Sequence, residues 1–350
     1  MNNQNYKRIL REDAKVIASE LLNWSLLNNC RILLTGGTGF IASYFINILY
    51  HLNEEKKLNI KLDCIVREVD KAKKVFCNKV YDSDFLNIKA LSILDPIQLN
   101  PEYDYIIHAA SIASPKFFET DPIGVVTPNT LGTIRLLEFA EKNNLKKFIF
   151  FSTTGVNGHI DDDLRPIPEN VFGALDPTLI ENCYLESKRM GENLCFAWYK
   201  QKSIPVQIVR PAITYGPGVD LNDGRSYADF IKAVVTNKDI ILFSDGSAIR
   251  NFCYVADFIS GLFYVILKGS TGDVYNLSSE AEYSIKELAE LLTKKIFPEK
   301  NLKVLYKQKG GEFLRVNFKK TTVSTKKARS LGWKLNFNIE EGMLRTVQSY

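Results

Sequence analysis

The sequence is poor in the residues that form metal sites and disulfide frameworks. Among its 350 residues there are six cysteines and three histidines. No two cysteines stand at a metal-ligand spacing, and His51, His108 and His159 are far apart, so we expect no metal site. A chain of this size can bury a core without disulfide bonds. We therefore expect free thiols in a reducing compartment and predict a cytoplasmic protein.

The sequence also lacks a membrane-spanning run and a basic stripe. The longest apolar stretch, Phe40–Leu52, is interrupted by Ser43, Asn47 and His51 and is too short to cross a bilayer. The segment Met1–Glu12 is polar and lacks the apolar core of a signal peptide. The net charge of +5 comes from 45 basic and 40 acidic residues spread along the chain. We therefore expect neither a membrane nor a nucleic acid as a partner.

Short apolar runs that alternate with helical segments indicate the fold class. The predicted strands are Arg31–Thr35, Leu62–Val66, Tyr105–His108, Phe148–Phe151 and Val206–Val209. The predicted helices are one from about Phe40, then Leu131–Asn143, Tyr184–Lys202 and Ser284–Lys295, the last with a Ser284 cap and Glu287 three residues on. This alternation predicts an α/β fold with a doubly wound parallel sheet that is covered on both faces.

A glycine-rich loop follows the first predicted strand, in Thr35-Gly36-Gly37-Thr38-Gly39-Phe40-Ile41-Ala42. Glycines allow a tight turn and close approach to a phosphate, and the following helix N-terminus favours a pyrophosphate. Ala42 still permits close packing of helix on strand. A strand before the loop and a helix after it make a dinucleotide site the favoured interpretation, over a turn that binds nothing.

The residue after the second strand bears on the choice of cofactor. Dinucleotide sites usually place an acidic residue there for the adenosine ribose, whereas an Arg suits a 2′-phosphate. Arg67 occupies this position, which favours NADP over NAD, although Glu68 and Asp70 are close enough to leave NAD open. The polar stretch His51–Asn59 is interpreted as an insertion that lengthens the distance from the loop.

The chain divides into three predicted parts. Residues 1–29 form an N-terminal helical extension, because Asp13–Leu27 has helical periodicity. Residues 30–210 form the NAD(P)-binding Rossmann-type domain. After Pro211 the regular alternation decays, and residues 211–350 are predicted to form a smaller C-terminal lobe, mainly substrate-binding and interleaved with the sheet.

Tyr184 precedes Lys188 by four residues, which on a helix places the phenol and the ammonium on one face. A tyrosine has a pKa near 10 and transfers protons poorly at neutral pH unless a nearby cation lowers it. The pair is a candidate proton-transfer device for a hydroxyl or carbonyl. The same spacing is also common in ordinary surface pairs, so further motifs must decide.

Those motifs occur in a consistent order along the chain. They are His108-Ala109-Ala110-Ser111, Asn129-Thr130-Leu131-Gly132-Thr133, Ser152-Thr153-Thr154, Arg210–Gly218, Arg250–Asp257, Tyr275-Asn276-Leu277 and Leu331-Gly332-Trp333. With the glycine loop and Tyr184/Lys188 they resemble the extended short-chain dehydrogenase/reductase family, in its NAD(P)-dependent epimerase/dehydratase branch. The resemblance covers roughly Arg31 to Trp333 and implies an enzyme that acts on a nucleotide-activated sugar.

The resemblance implies a role for each matching residue. Tyr184 would be the acid–base group, Lys188 would bind the nicotinamide ribose and lower the pKa of Tyr184, and Thr153 would hydrogen-bond the same substrate oxygen. The implied cofactor contacts are Gly36, Thr38, Gly39, Phe40, Ile41, Arg67, Ala109, Ala110, Ser111, Asn129 and Lys188. The implied substrate contacts are Thr154, Arg225 and Arg250, the two arginines at the phosphates of the nucleotide sugar.

Departures from the family pattern narrow the reaction. Related 4,6-dehydratases have Asp-Glu where this chain has Thr154-Gly155, and the decarboxylases keep the Glu. Both reactions are therefore disfavoured, although a Glu from elsewhere could substitute. Asn157 replaces the usual Tyr. We predict hydride transfer at one sugar carbon, C4, by ketoreduction, with 4-epimerisation as the alternative and a non-catalytic NAD(P)H-binding scaffold as a third hypothesis.

The family commonly forms dimers through the helix that bears Tyr-x-x-x-Lys and the helix before it. The resemblance therefore implies a homodimer. The apolar residues Leu136, Leu137, Phe139 and Ala140 are compatible with such an interface and equally with packing on the sheet.

Overall fold

The predicted apolar runs form strands in a computed structural model that describes residues 4–100, 102–307 and 319–350. The strands are β1 Arg31–Thr35, β2 Lys61–Val66, β3 Leu86–Ala90, β4 Tyr105–His108, β5 Lys147–Phe151, β6 Val206–Pro211, β7 Ile213–Tyr215, β8 Ile240–Leu242, β9 Ile249–Tyr254, β10 Asp273–Leu277, β11 Glu282–Ser284 and β12 Val304–Tyr306. All five predicted strands are confirmed to within two residues at each end.

The helices lie before, between and after these strands. They are α1 Gln4–Ala18, α2 Phe40–Lys56, α3 Val69–Val75, α4 Asn78–Tyr81, α5 Lys116–Thr120, α6 Pro122–Asn129, α7 Leu131–Ala140, α8 Cys183–Lys202, α9 Ser226–Val235, α10 Val255–Lys268, α11 Ile285–Glu290, α12 Lys326–Ser330 and α13 Ile339–Gln348. Ser284 caps α11 and forms a capping box with Glu287, as predicted, and a π-helical turn, Leu291–Ile296, follows.

Seven of the strands form one parallel sheet in the order β10-β6-β5-β4-β1-β2-β3. The order reverses between β1 and β4, so the carboxyl ends of these two strands open a crevice between their loops. The Rossmann-type α/β fold is confirmed. Its strands are almost continuously buried because helices cover both faces.

The chain beyond residue 211 contributes to the central sheet and also forms smaller sheets. The edge strand β10 pairs with β6, whereas β7, β9 and β11 form a three-stranded sheet and β8 pairs with β12. Among the described residues no helix is long and apolar enough to cross a bilayer. In the same residues no group of three or more His, Cys, Asp or Glu side chains is arranged to hold a metal ion.

The apolar side chains of α7 pack inside the chain. Leu136, Leu137 and Ala140 are fully buried, Phe139 is 5% exposed, and all four belong to the core cluster beneath one face of the sheet. Of the two possibilities left open by the sequence, packing on the sheet accounts for these four residues.

The N-terminal helix differs from its predicted bounds. The sequence pattern predicts Asp13–Leu27, but α1 spans Gln4–Ala18 and only a short 3₁₀ turn follows at Trp24–Leu27. The buried face begins earlier, within the polar stretch, and Leu21 is 90% exposed. The predicted bounds were wrong because α1 ends at Ala18, and the leucines beyond it do not share one buried face: Leu22 and Leu27 are buried, whereas Leu21 and Leu26 are exposed.

The polar stretch His51–Asn59, predicted to be an insertion, is largely helical. Helix α2 continues through His51 to Lys56, and Lys57 ends it in the left-handed conformation with φ of 55°. The extra distance between the glycine loop and Arg67 therefore arises chiefly from a long first helix. Polar residues on its last turns face solvent and resemble a loop in sequence.

Buried Asp13 ties α1 to three distant parts of the chain. Its carboxylate accepts hydrogen bonds from the hydroxyls of Tyr44 and Tyr254, the latter at 2.8 Å, and from the Arg345 guanidinium at 2.6 Å. These residues belong to α2, β9 and α13. The N-terminal extension is thus part of the folded body rather than an appendage.

Candidate active site

The glycine loop lies at the point where the strand order reverses. Gly36 follows β1 with φ of +74°, and a Cβ there would lie 2.5 Å from the Cα of Ala110, which follows β4. Gly39 is the N-cap of α2, and Ala42 in its first turn is buried. This cradle brings Gly36 and Ala110, two of the predicted cofactor contacts, together. Thr38, Phe40 and Ile41 continue from the loop into the first turn of α2.

His108 holds the ends of β1 and β4 together. Its Nδ1 lies 2.9 Å from the Thr35 hydroxyl, which also accepts a hydrogen bond from the Ala110 amide, and its Nε2 lies 3.1 Å from the carbonyl of Pro128. Burial, with the nearby Lys188 charge, lowers the pKa of His108 to about 3. The imidazole is therefore neutral, and its role is to shape the crevice floor.

Several polar atoms around this crevice are buried without a hydrogen-bond partner. They are the Ser111 hydroxyl, the Asn129 side-chain oxygen and the Ser152 hydroxyl. Asn129 is oriented because its amide nitrogen donates to the Val125 carbonyl and to Ser187, both at 3.0 Å. Buried polar groups are nearly always satisfied in native proteins. Together with the glycine cradle, these unsatisfied groups fit a bound dinucleotide.

Helix α8 presents Tyr184 and Lys188 to the carboxyl end of β5. The Lys188 ammonium is buried, donates to the Phe151 carbonyl at 2.5 Å and lies 6.0 Å from the centre of the Tyr184 ring. Gly191 permits α8 to pack this closely on β5, because a Cβ at this position would lie 2.4 Å from the Phe150 ring. Thr153 follows β5 and caps the turn Thr154–Asn157, because its hydroxyl accepts a hydrogen bond from the Gly155 amide at 3.3 Å.

The pKa values of the pair differ from the expectation for a simple Tyr–Lys device. Burial raises the pKa of Tyr184 to about 12, against the opposing effects of the Arg225 charge and the Thr153 hydrogen bond. Burial also lowers the pKa of Lys188 to about 7. In the protein without ligands, Tyr184 is therefore a protonated phenol, and the cation that favours its ionisation is Arg225 rather than Lys188.

Arg225 and Phe118 complete the surroundings of Tyr184. The Arg225 guanidinium forms an ion pair with Asp223 and lies 5.3 Å over the Tyr227 ring. Phe118 of α5 stacks on Tyr184 with 5.5 Å between ring centres and 13° between planes. Sequence reasoning missed Phe118, and no local signal marks it, because α5 reaches α8 only through the tertiary fold.

The other predicted contacts are more dispersed. Arg67 is exposed directly after β2. Arg250 on β9 donates to the carbonyls of Ile249 and Lys319, at 2.8 and 3.2 Å, and its cationic neighbour is Arg165, not Arg225. Asn157 is buried and donates to the Val171 carbonyl, so it supports a loop.

We expect Gly36→Ala to weaken nicotinamide-cofactor binding by about tenfold or more and to cost about 1–3 kcal/mol of stability, because left-handed strain adds to a clash with Ala110. Cofactor titration by fluorescence measures the affinity. Gly332→Ala is the matched control: its φ is +100°, but the nearest atom to a Cβ is 3.4 Å away, on Tyr264. Equal losses of affinity in both variants would contradict the assignment of the loop.

The amino-acid sequence of this chain matches a known protein family and individual known proteins. Residues 32–278 match the NAD dependent epimerase/dehydratase family. The chain is 29% identical over 316 residues to UDP-glucuronic acid decarboxylase 5 of Arabidopsis thaliana, covering 90% of this chain and 88% of that one. It is 28% identical to UDP-glucuronic acid decarboxylase 1 of Danio rerio, covering 91% and 72%.

Solved structures agree on the fold. UDP-glucose 4-epimerase of Thermotoga maritima has a TM-score of 0.76 at 22% identity, with 91% of this chain and 98% of that chain covered. UDP-glucuronic acid 4-epimerase of Bacillus cereus, solved with NAD, has a TM-score of 0.73 at 24% identity, with 91% and 96% covered. These similarities support the same architecture.

Proposed function

Because the chain belongs to the NAD dependent epimerase/dehydratase family, an enzyme family that uses a nicotinamide cofactor, we propose that it transfers hydride at C4 of a nucleotide-activated sugar, in the direction of ketoreduction. One observation carries the proposal: Tyr184 lies beside the buried Lys188 ammonium, with 6.0 Å between Nζ of Lys188 and the ring centre, and burial keeps its phenol protonated. A phenol is the form that donates a proton to a carbonyl oxygen as it is reduced.

Each residue contributes a separate part of this chemistry. Thr153 and Tyr184 would hydrogen-bond one sugar oxygen, and Tyr184 would give or take its proton. Lys188, held by the Phe151 carbonyl, would bind the ribose of the cofactor. Gly36, Ser111 and Asn129 are the residues that would hold the dinucleotide. A bound nicotinamide cofactor would supply or accept the hydride.

The turn after β5 argues against elimination and decarboxylation. Thr154 and Gly155 provide no carboxylate where the resembling dehydratases and decarboxylases have one. Leu185 occupies the adjacent space, because a Cβ on Gly155 would lie 2.6 Å from its Cδ2. The similarity to UDP-glucuronic acid decarboxylases makes decarboxylation a reaction to be tested, and the missing carboxylate makes it the disfavoured one.

A second candidate is 4-epimerisation, which uses the same residues. Oxidation at C4, rotation of the keto sugar and return of the hydride to the other face leave the cofactor unchanged overall. Membership of an NAD dependent family favours this possibility, because a cofactor that is recycled in the site needs no external supply of NADPH.

Product analysis with a panel of substrates separates the candidates. Purified protein is incubated with UDP-, dTDP- and GDP-sugars and their 4-keto derivatives, with NADH or NADPH, and products are identified by mass spectrometry and NMR. Stoichiometric consumption of reduced cofactor with a keto sugar supports reduction. An epimer without net cofactor change supports epimerisation, and release of carbon dioxide from UDP-glucuronic acid would contradict the role assigned to Gly155.

We also propose that Arg67 favours NADP over NAD, because it follows β2 where the adenosine ribose is bound in this fold. Arg67→Gln is expected to weaken NADPH binding by about tenfold, the value of a charge-assisted hydrogen bond, and to leave NADH binding unchanged. Lys71→Gln, which removes an exposed charge from α3, is the control. Equal effects on both cofactors would refute the preference.

A further inference from the structure

An aromatic ring from a distant part of the chain packs flat on the Tyr184 ring. Phe118 of α5 lies with 5.5 Å between the two ring centres and 13° between their planes, and it is only 5% exposed. This spacing is within the range in which aromatic pairs attract each other. A second contact comes from the residue before Tyr184, because the Cys183 thiol lies 4.0 Å from the Phe118 carbonyl. Helix α5 therefore contacts α8 at the turn that carries the phenol.

Helix α5 is fixed by polar contacts that do not involve α8. Just before the helix, the Ser114 hydroxyl donates to the Asp223 carbonyl at 2.5 Å. In its first turn, the Lys116 ammonium donates to the Asn222 carbonyl at 3.0 Å. Both acceptors belong to the segment between β7 and α9. Because Phe118 is anchored independently of α8, its ring can restrain the phenol rather than follow it.

A stack of this kind determines where the phenol hydroxyl lies. Rotation of a tyrosine ring about Cβ–Cγ leaves the hydroxyl on the rotation axis, whereas rotation about Cα–Cβ to another staggered rotamer moves the hydroxyl to a different place. A second ring packed flat on one face opposes this second rotation. A proton donor must lie within about 2.6–3.2 Å of the oxygen that it protonates, so a change of rotamer would prevent the transfer.

We propose that Phe118 is a positioning residue, which holds Tyr184 in the rotamer from which its phenol reaches the sugar oxygen. The proposal rests on the proposed function and adds to it a residue that acts through Tyr184. Phe118 has no group that transfers a proton or binds a phosphate, so its contribution is to orientation. Misplacement of a reacting group by about 1 Å can cost about 100-fold in rate, which sets the size of the expected effect.

The substitution Phe118→Leu removes the flat ring and keeps an apolar side chain. Rates are measured with the 4-keto nucleotide sugar of the panel that is turned over fastest. We expect kcat to fall by about 10- to 100-fold, whereas KM for the sugar and the affinity for the nicotinamide cofactor stay within about twofold. Phe117→Leu is the matched control, because it is the same substitution at the preceding residue of α5, where the ring is 37% exposed. Its kcat is expected to be unchanged.

A double-mutant cycle with Tyr184→Phe separates positioning from a purely structural contribution. In a chain that already lacks the Tyr184 hydroxyl, Phe118→Leu is expected to change the single-turnover rate by less than about twofold, because no phenol remains to be positioned. A further loss of about tenfold or more in that background would overturn the proposal, since Phe118 would then act on the substrate or on folding.

The outcomes distinguish this inference from the proposed function. An unmodified protein that turns over none of the panel would contradict the proposed function and, with it, the role of Phe118. An unchanged kcat in a folded Phe118→Leu variant would overturn the role of Phe118 alone. If that variant does not fold, Phe118→Met serves instead, because methionine is apolar, adapts to irregular space and has no ring. The same loss of kcat is expected, and an unaltered kcat would again refute the proposal.

Discussion

Replacement of Tyr184 by Phe is expected to lower kcat with the nucleotide sugar by about 10²- to 10⁴-fold, the range for loss of a general acid–base group. Binding of the nicotinamide cofactor is expected to stay within about twofold, because the cradle at Gly36 and the ammonium of Lys188 are untouched. The ring stack on Phe118 also persists, so the loss would be chemical. Steady-state rates and cofactor titration measure the two quantities separately.

Tyr199→Phe is the matched control, because Tyr199 is on the same helix and 38% exposed. It removes one phenolic hydroxyl from α8 but none from the cleft, and its rate is expected to equal that of the unmodified protein. Retention of full activity in Tyr184→Phe would refute the assignment of Tyr184 as the proton donor. A parallel loss in both variants would indicate damage to α8 instead.

Loss of the buried pair between Arg210 and Glu192 is expected to cost about 3–5 kcal/mol of stability. Arg210 of β6 and Glu192 of α8 form two hydrogen bonds, of 2.7 and 2.6 Å, and both side chains are buried. Glu192→Gln leaves a buried guanidinium without its counter-charge. The free energy of unfolding is measured by urea titration.

Two comparisons define what the pair contributes. The double variant Arg210→Met/Glu192→Leu is expected to recover most of the loss, because two apolar groups leave no buried charge unpaired. Glu290→Gln, which breaks an exposed pair with Lys294, is expected to cost under about 0.5 kcal/mol. A cost below about 1 kcal/mol for Glu192→Gln would show that the pair is not held in the low-dielectric interior that the structure describes.

The sequence alone was sufficient for features encoded within a few neighbouring residues. The strands were predictable because a buried parallel strand is a short apolar run. The glycine loop was predictable because its turn requires a glycine at position 36. The capping box at Ser284 is likewise a four-residue pattern. Helix ends were harder, and α1 was misplaced because periodicity shows which residues could share a face, not which are buried.

The tertiary structure decided what distant residues do to one another. Asp13 and Arg345 are separated by 332 positions, and no motif marks Phe118, which stacks on Tyr184. Burial also set the protonation of the candidate site. The spacing of Tyr184 and Lys188 predicts a lowered pKa for the phenol, whereas packing raises it to about 12 and lowers that of the lysine to about 7.

The family, the fold and the candidate proton-transfer pair therefore followed from local patterns in this chain. The charge states of that pair and the cation that acts on it depended on the fold. The physical reason is that a residue's type determines which bonds it can form, whereas desolvation and charge–charge interactions depend on the groups that folding places within a few ångströms.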